Sequence, residues 1–200
     1  VTTLAINGDG SKILVSDQKK DVAQAYEYDA DALAWKKLGA QFSSNSFSGY
    51  HDCGQTSGMT SSGDRVVIQC SENSATSKSG HFVFDYNGGS WNPVGQPIVT
   101  ARAATQARIS GDGKRVVIGV RYNPGHVEVY DLVNGDWAKK GNNIGWSDNG
   151  ANYVSSGLQI NEDGSTILVG ANGNGVKSMV KMFTLNEAGT DWVQKGSTIW

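Results

Sequence analysis

The chain has 200 residues, a net charge of −2 (17 Lys and Arg against 19 Asp and Glu), and 26 glycines against three prolines. That balance gives no electrostatic footprint for nucleic acid or an anionic membrane surface, and no apolar run approaches the roughly 20 residues that span a bilayer. Glycine without proline, mixed with Ser, Asn and Asp, points to many tight turns rather than a disordered linker.

In chain order, the sequence starts on Val1 inside an apolar run, which reads as a processed start or the start of a fragment. Residues 4–16 (LAINGDGSKILVS) read as a strand, an Asp9-Gly10 hairpin turn and an apolar strand. An alternating strand follows (AYEYD, 25–29), then a strand opening on Trp35. The intervening DADALAWKK (29–37) has a weak helical signal, but an enlarged loop fits better. The plan recurs at 58–70 (GMTSSGDRVVIQC), 81–86 (HFVFDY) and Trp91, where the Gly63-Asp64 turn reads as one residue shorter. It recurs at 107–119 (ARISGDGKRVVIG), 126–132 (HVEVYDL) and Trp137, and again at 158–170 (LQINEDGSTILVG), 179–185 (MVKMFTL) and Trp192.

The tryptophans fix the repeat. Trp35, Trp91, Trp137 and Trp192 are each followed at +4 by Gly39, Gly95, Gly141 and Gly196, and at +7 by Phe42, Ile98, Ile144 and Ile199. Their spacings are 56, 46 and 55 residues. Four strands per unit of about 50 residues is the footprint of a propeller blade, which buries its faces by stacking on neighbours. The expected fold is therefore all-β: a β-propeller of four four-stranded antiparallel blades near 1–42, 56–98, 106–144 and 157–199, in a single domain over 1–200. The four blades either close a small ring or belong to a larger propeller or array.

The elements S-x-D-G-x-x-V-V-I-G, G-H-V-x-V-Y-D and G-x-W-x-x-x-G-x-x-I, best seen at 110–144, resemble the FG-GAP-like, integrin-α-like propeller repeats common in extracellular proteins of algae and other protists. That resemblance implies a propeller, usually of more than four blades, with adhesive or structural roles. Some members carry a D-x-D-x-D-G calcium loop; Asn7-Gly8-Asp9-Gly10 and Asn161-Glu162-Asp163-Gly164 keep only the turn, so calcium binding does not transfer.

The candidate site residues divide into structural and exposed sets. Trp35, Trp91, Trp137 and Trp192 hold one position per blade, which favours core packing over a ring of sugar platforms. Trp146, in an inter-blade loop, and Arg121, Tyr122 and Asn123, private to the third unit, are the candidates for ligand or partner contact. His81 and His126 share a repeat position, which points to a hydrogen bond at a strand start. Cys53 lacks the ligand set of a zinc site, and folding a hairpin about Ser62-Gly63 brings Cys70 toward it, within disulfide reach of about 5.5–6 Å between α-carbons. A Cys53–Cys70 bridge in turn indicates an oxidising, extracellular or cell-surface location. Lys36-Lys37 and Lys139-Lys140 fit an edge strand protected from mispairing. No N-x-[ST] glycosylation acceptor is present.

No catalytic constellation, cofactor motif or metal set is visible. The expected function is a non-enzymatic extracellular structural or adhesive module, or a repeating unit of a larger assembly or filament. The alternative is a carbohydrate-binding, lectin-like propeller. Expected partners are proteins or further copies of the chain, with glycans as a second class, no nucleic acid and no membrane insertion.

Overall fold

The computed structural model describes residues 2–72, 78–120, 125–145, 153–172 and 178–200, with the backbone alone for 105, 153–156 and 172. The described chain folds as four antiparallel sheets in sequence order. Sheet 1 holds β1 (Thr3–Ile6), β2 (Lys12–Asp17), β3 (Val22–Asp29) and β4 (Ala34–Ser43). Sheet 2 holds β5 (Tyr50–His51), β6 (Ser57–Met59), β7 (Arg65–Glu72), β8 (Ser79–Asn87), β9 (Ser90–Pro93) and β10 (Ile98–Thr100). Sheet 3 holds β11 (Ala104–Ile109), β12 (Arg115–Val120), β13 (His126–Val133), β14 (Asp136–Lys139) and β15 (Ile144–Gly145). Sheet 4 holds β16 (Tyr153–Ile160), β17 (Thr166–Asn172), β18 (Met179–Leu185) and β19 (Trp192–Ile199). Residues 30–33 form a turn between β3 and β4 and not a helix.

Four strands in every sheet was the expectation; sheets 2 and 3 have six and five. All four glycines of the Trp–Gly spacing are left-handed, with Gly39, Gly95, Gly141 and Gly196 at φ +69°, +69°, +73° and +75°. At Gly95 and Gly141 the pairing breaks, and the expected fourth strand divides into β9 and β10, and into β14 and β15, all paired with β8 or β13. In sheets 1 and 4 the ladder continues past Gly39 and Gly196 with a register shift, as at a bulge. The extra strand β5 comes from the segment joining sheets 1 and 2.

The first hairpin turns share one side-chain device. A polar side chain immediately after the first strand accepts the N–H that opens the second strand, five residues on. Asn7 Oδ1 accepts from Lys12 (2.8 Å), Thr60 Oγ1 from Arg65 (3.1 Å), Ser110 Oγ from Arg115 (3.0 Å) and Asn161 Oδ1 from Thr166 (2.8 Å). The second turn is not one residue shorter, as its sequence suggested. Thr60 to Arg65 matches Asn7 to Lys12, Gly63 (φ +73°) stands where Gly10 (φ +78°) does, and Ser62 replaces the aspartate.

Three apolar cores hold the four sheets, one at each successive junction. Leu14 of β2 packs with Val66 and Ile68 of β7. Val67 of β7 packs with Val116 and Ile118 of β12. Val117 of β12 packs with Ile167 and Val169 of β17. Successive residues of β7 and β12 point to opposite faces, so a continuous apolar run supplies two cores at once. Each fully buried Val or Ile contributes about 1.5–3 kcal/mol. Among the described residues no such core joins sheet 4 to sheet 1. There Leu168 is 38% exposed, while Val117, which like Leu168 stands two residues before a glycine, is fully buried.

Candidate functional site

The first strands of the sheets, β1, β6, β11 and β16, gather around one opening. Their turns are joined by backbone hydrogen bonds that pass from sheet to sheet. The Gly8 N–H donates to the Ser61 carbonyl (2.9 Å), the Ser61 N–H to Gly111 (3.0 Å) and the Asp112 N–H to Glu162 (2.8 Å). The opening is a cavity of about 320 Å³ whose lining includes Ile6, Met59, Arg108, Gly111, Gln159 and Glu162, so all four sheets contribute.

Two charged groups from different sheets reach this mouth. Arg108 comes from β11. Its Nη1 donates to the Ala107 carbonyl (2.8 Å), the Ser57 carbonyl (3.3 Å) and Thr56 Oγ1 (3.3 Å). These contacts fix the guanidinium beside sheet 2, and burial lowers its pKa from the ordinary arginine value, although an arginine stays charged at any physiological pH. Glu162 belongs to the turn of sheet 4 and accepts a hydrogen bond from the Ser61 hydroxyl. Its carboxylate lies over Gly111, where a Cβ would collide with it. The mouth therefore offers one cation, one anion, the neutral amide of Gln159 and the hydroxyl of Ser61. Such a set is chemically suited to a small polar ligand with both an anionic group and hydroxyl donors.

A second concavity lies between sheets 1 and 2 on their outer side. It measures about 640 Å³, and Phe42, Phe47, Tyr50, Phe82, Phe84 and Trp91 form its wall. Phe47 stands 4.2 Å from Phe82 and Phe42 stands 4.9 Å from Phe84, centroid to centroid. The segment carrying Phe47 and Tyr50 is pinned by the Cys53–Cys70 disulfide (α-carbons 4.0 Å apart). The Cys53 N–H donates to Asp21 Oδ1 (2.6 Å) and Ser16 Oγ donates to the Gly54 carbonyl (2.7 Å), so the same segment ties sheet 1 to sheet 2. The expected disulfide is thus present, and His51 is left exposed beside Asp52 (3.6 Å).

The other sequence candidates scatter. Arg121, Tyr122, Asn123 and Trp146 lie outside the described residues. His81 is fully buried and its Nδ1 pairs with the Ile98 carbonyl (3.1 Å); burial lowers its pKa to about 4. His126 lies 3.2 Å from Glu128. Trp91, Trp137 and Trp192 each donate an indole N–H to the preceding sheet, at the Leu38, Val94 and Lys140 carbonyls (2.9, 2.9 and 3.2 Å). Trp35 differs: it is 44% exposed and packs edge to face on Tyr28 of its own sheet at 5.3 Å. Sequence reasoning missed Arg108 and Glu162 because it looked for what the copies share. Glu162 stands where the other turns have Gly8, Ser61 and Gly111; Arg108 stands where they have Ala5, Gly58 and Gln159. Disagreement among the copies was the available signal.

Among the described residues no three His, Cys, Asp or Glu side chains form a metal-holding group, and no helix is long and apolar enough to cross a membrane. No family model matches the chain, and no curated protein does. Solved structures do match. A crystal structure from Bacteroides uniformis, named "putative 6-phosphogluconolactonase", shares 17% identity at a TM-score of 0.65, covering 98% of this chain and 53% of its own. A Bacteroides fragilis protein of the same name gives 17%, 0.59, 98% and 54%. TolB from Acinetobacter baumannii gives 15%, 0.57, 96% and 42%. The chain spans about half the length of these structures. At such identity the likeness is one of fold, and the fold is propeller-like. It corrects the expected function: two of these similar structures carry a lactonase name, and none of the three supports an extracellular adhesive, structural or lectin role.

Proposed function

We propose that each sheet is one propeller blade and that the four blades form an open arc of a larger ring. The three successive cores, the turn-to-turn hydrogen bonds and the half-length match to propeller-like structures support this reading. On that arc the inner mouth is the ligand site, and the ligand is a small hydroxylated anion such as a sugar acid or its phosphate ester. The observation that carries it is the convergence of Arg108 and Glu162, from two blades, on one cavity lined by all four. Arg108 binds the anionic group; Glu162 and Gln159 take the hydroxyls. The lactonase name of the similar structures belongs to the same ligand class. The chain acts as a binding unit, because the one carboxylate lining the mouth among the described residues is engaged by Ser61. The disulfide supports an oxidising compartment.

Calorimetry with 6-phosphogluconate, and with gluconate as the unphosphorylated control, tests this. Saturable binding is expected, weakened about tenfold or more by Arg108→Gln, the scale of one lost charge-assisted hydrogen bond. No binding, or equal binding by the variant, contradicts the site. Lactone hydrolysis above the buffer rate contradicts the binding-only role.

A further inference from the structure

Each closed junction carries a donor on the later blade and an acceptor on the earlier one. The donor is the indole N–H of Trp91, Trp137 or Trp192. The acceptor is the carbonyl just before Gly39, Gly95 or Gly141. The glycine is required there: a Cβ at Gly39 would stand 2.7 Å from the Trp91 ring, and one at Gly95 or Gly141 would stand 2.8–2.9 Å from Asp136 or Asp191. Those aspartates add a second bond, accepting the Gln96 and Asn142 N–H groups (2.8 and 2.9 Å).

Each end of the arc holds half of such a junction. Blade 1 presents Trp35 as a donor, 44% exposed and with no blade against it among the described residues. Blade 4 presents the Lys195 carbonyl before Gly196, which has open space around it. The apolar faces are halved in the same way. Leu168, Val180 and Ile199 are 38%, 36% and 64% exposed on blade 4, and Leu4 and Ile6 are 66% and 65% exposed on blade 1.

We propose that a second copy of this chain covers these faces. Two copies join head to tail, blade 4 of each against blade 1 of the other, and close a ring of eight blades around the two mouths. The closing junction repeats the existing ones: Trp35 donates to the Lys195 carbonyl of the other copy beside Gly196. It resembles the first closed junction, where Ser90 and not Asp precedes the tryptophan, since Ala34 precedes Trp35. Two identical head-to-tail contacts close a two-fold ring and leave no free end. Length supports two copies, since one chain spans 53–54% of the lactonase-named propellers. The proposal rests on the blade reading but not on the ligand.

Sedimentation equilibrium of the 200-residue chain tests it, with Trp35→Ala and Leu168→Arg as variants at opposite exposed ends. The wild type is expected at twice 21.2 kDa, with each variant monomeric and each keeping the wild-type circular dichroism. Mixing the two variants restores one junction, from the intact blade 4 of the first and the intact blade 1 of the second, and is expected to recover dimer. A monomeric wild type overturns the proposal, as does a dimer indifferent to both substitutions, or a mass that climbs past two copies with concentration. Because calorimetry at the mouth reads a separate property, the two failures stay distinguishable.

Discussion

The junction between sheets 1 and 2 and the junction between sheets 2 and 3 share a backbone plan and differ in what fills them. Both have an indole N–H bonded to a carbonyl before a left-handed glycine. The first is filled by aromatic rings and stapled by a disulfide. The second combines an aliphatic core with buried polar groups. Gln69, Ser79 and His81 lie, by strand alternation with Val67 and Val83, on the face of sheet 2 turned to sheet 3. There Ser79 Oγ accepts the Ala104 N–H (3.0 Å) and the Gln69 side-chain amide (3.1 Å). The backbone lock sets how sheets stack, and the filling sets how each junction responds to perturbation.

The largest expected effect is at the aromatic junction. Phe47→Ala removes a buried ring packed on Phe82 and Phe84 and should cost about 3–5 kcal/mol in denaturant unfolding. A loss below about 1 kcal/mol would show that the ring wall is not a core. Reducing the Cys53–Cys70 bridge, which spans 17 residues, should cost about 3 kcal/mol. Hydrogen exchange should then rise over 44–56 and stay unchanged over 104–109. Equal loosening at both places would break the distinction between the junctions.

The polar junction should instead answer to acid. His81 is neutral in the fold, with its pKa lowered to about 4 from an ordinary 6.5, so the unfolded chain binds a proton that the folded chain refuses. Stability is therefore fully present above pH 6.5 and falls as pH drops toward 4, by about 3 kcal/mol at most. His81→Gln should flatten that slope. Glu128 adds a lower window: burial alone would raise it, but hydrogen bonds from His126 and Tyr130 and the charge of Lys139 bring it to about 2. Its stabilisation is present above pH 4.5 and is lost as pH falls toward 2. A pH profile unchanged by His81→Gln would remove the polar junction as the sensor. The smallest effect should be common to both junctions. Trp91→Phe and Trp137→Phe each delete one hydrogen bond and should each cost about 1 kcal/mol in that bond, alongside the packing lost with the smaller ring.

The sequence made the shared backbone plan readable and the private chemistry hard to see. Asp-Gly turns, the β-branched runs and the Trp–Gly spacing follow from local conformational rules, and the Cys53–Cys70 pairing follows from one hairpin. The split of the fourth strands at Gly95 and Gly141 was not readable, because all four units carry the same Trp–Gly spacing and the same left-handed glycine while only two of the ladders divide there. Nor was the placement of Trp35, whose sequence matches the other three while its surroundings do not. Arg108 and Glu162 were passed over because a lone Arg in a strand and a Glu in a turn look like solvated residues until the sheets bring them to one mouth.

The most direct measurement is hydrogen exchange of the assigned indole N–H signals by NMR. The indole protons of Trp91, Trp137 and Trp192 should exchange slowly, each held by a carbonyl of the preceding sheet. Exchange at any of these three as fast as in a free indole would contradict the lock on which the stacking of the sheets depends.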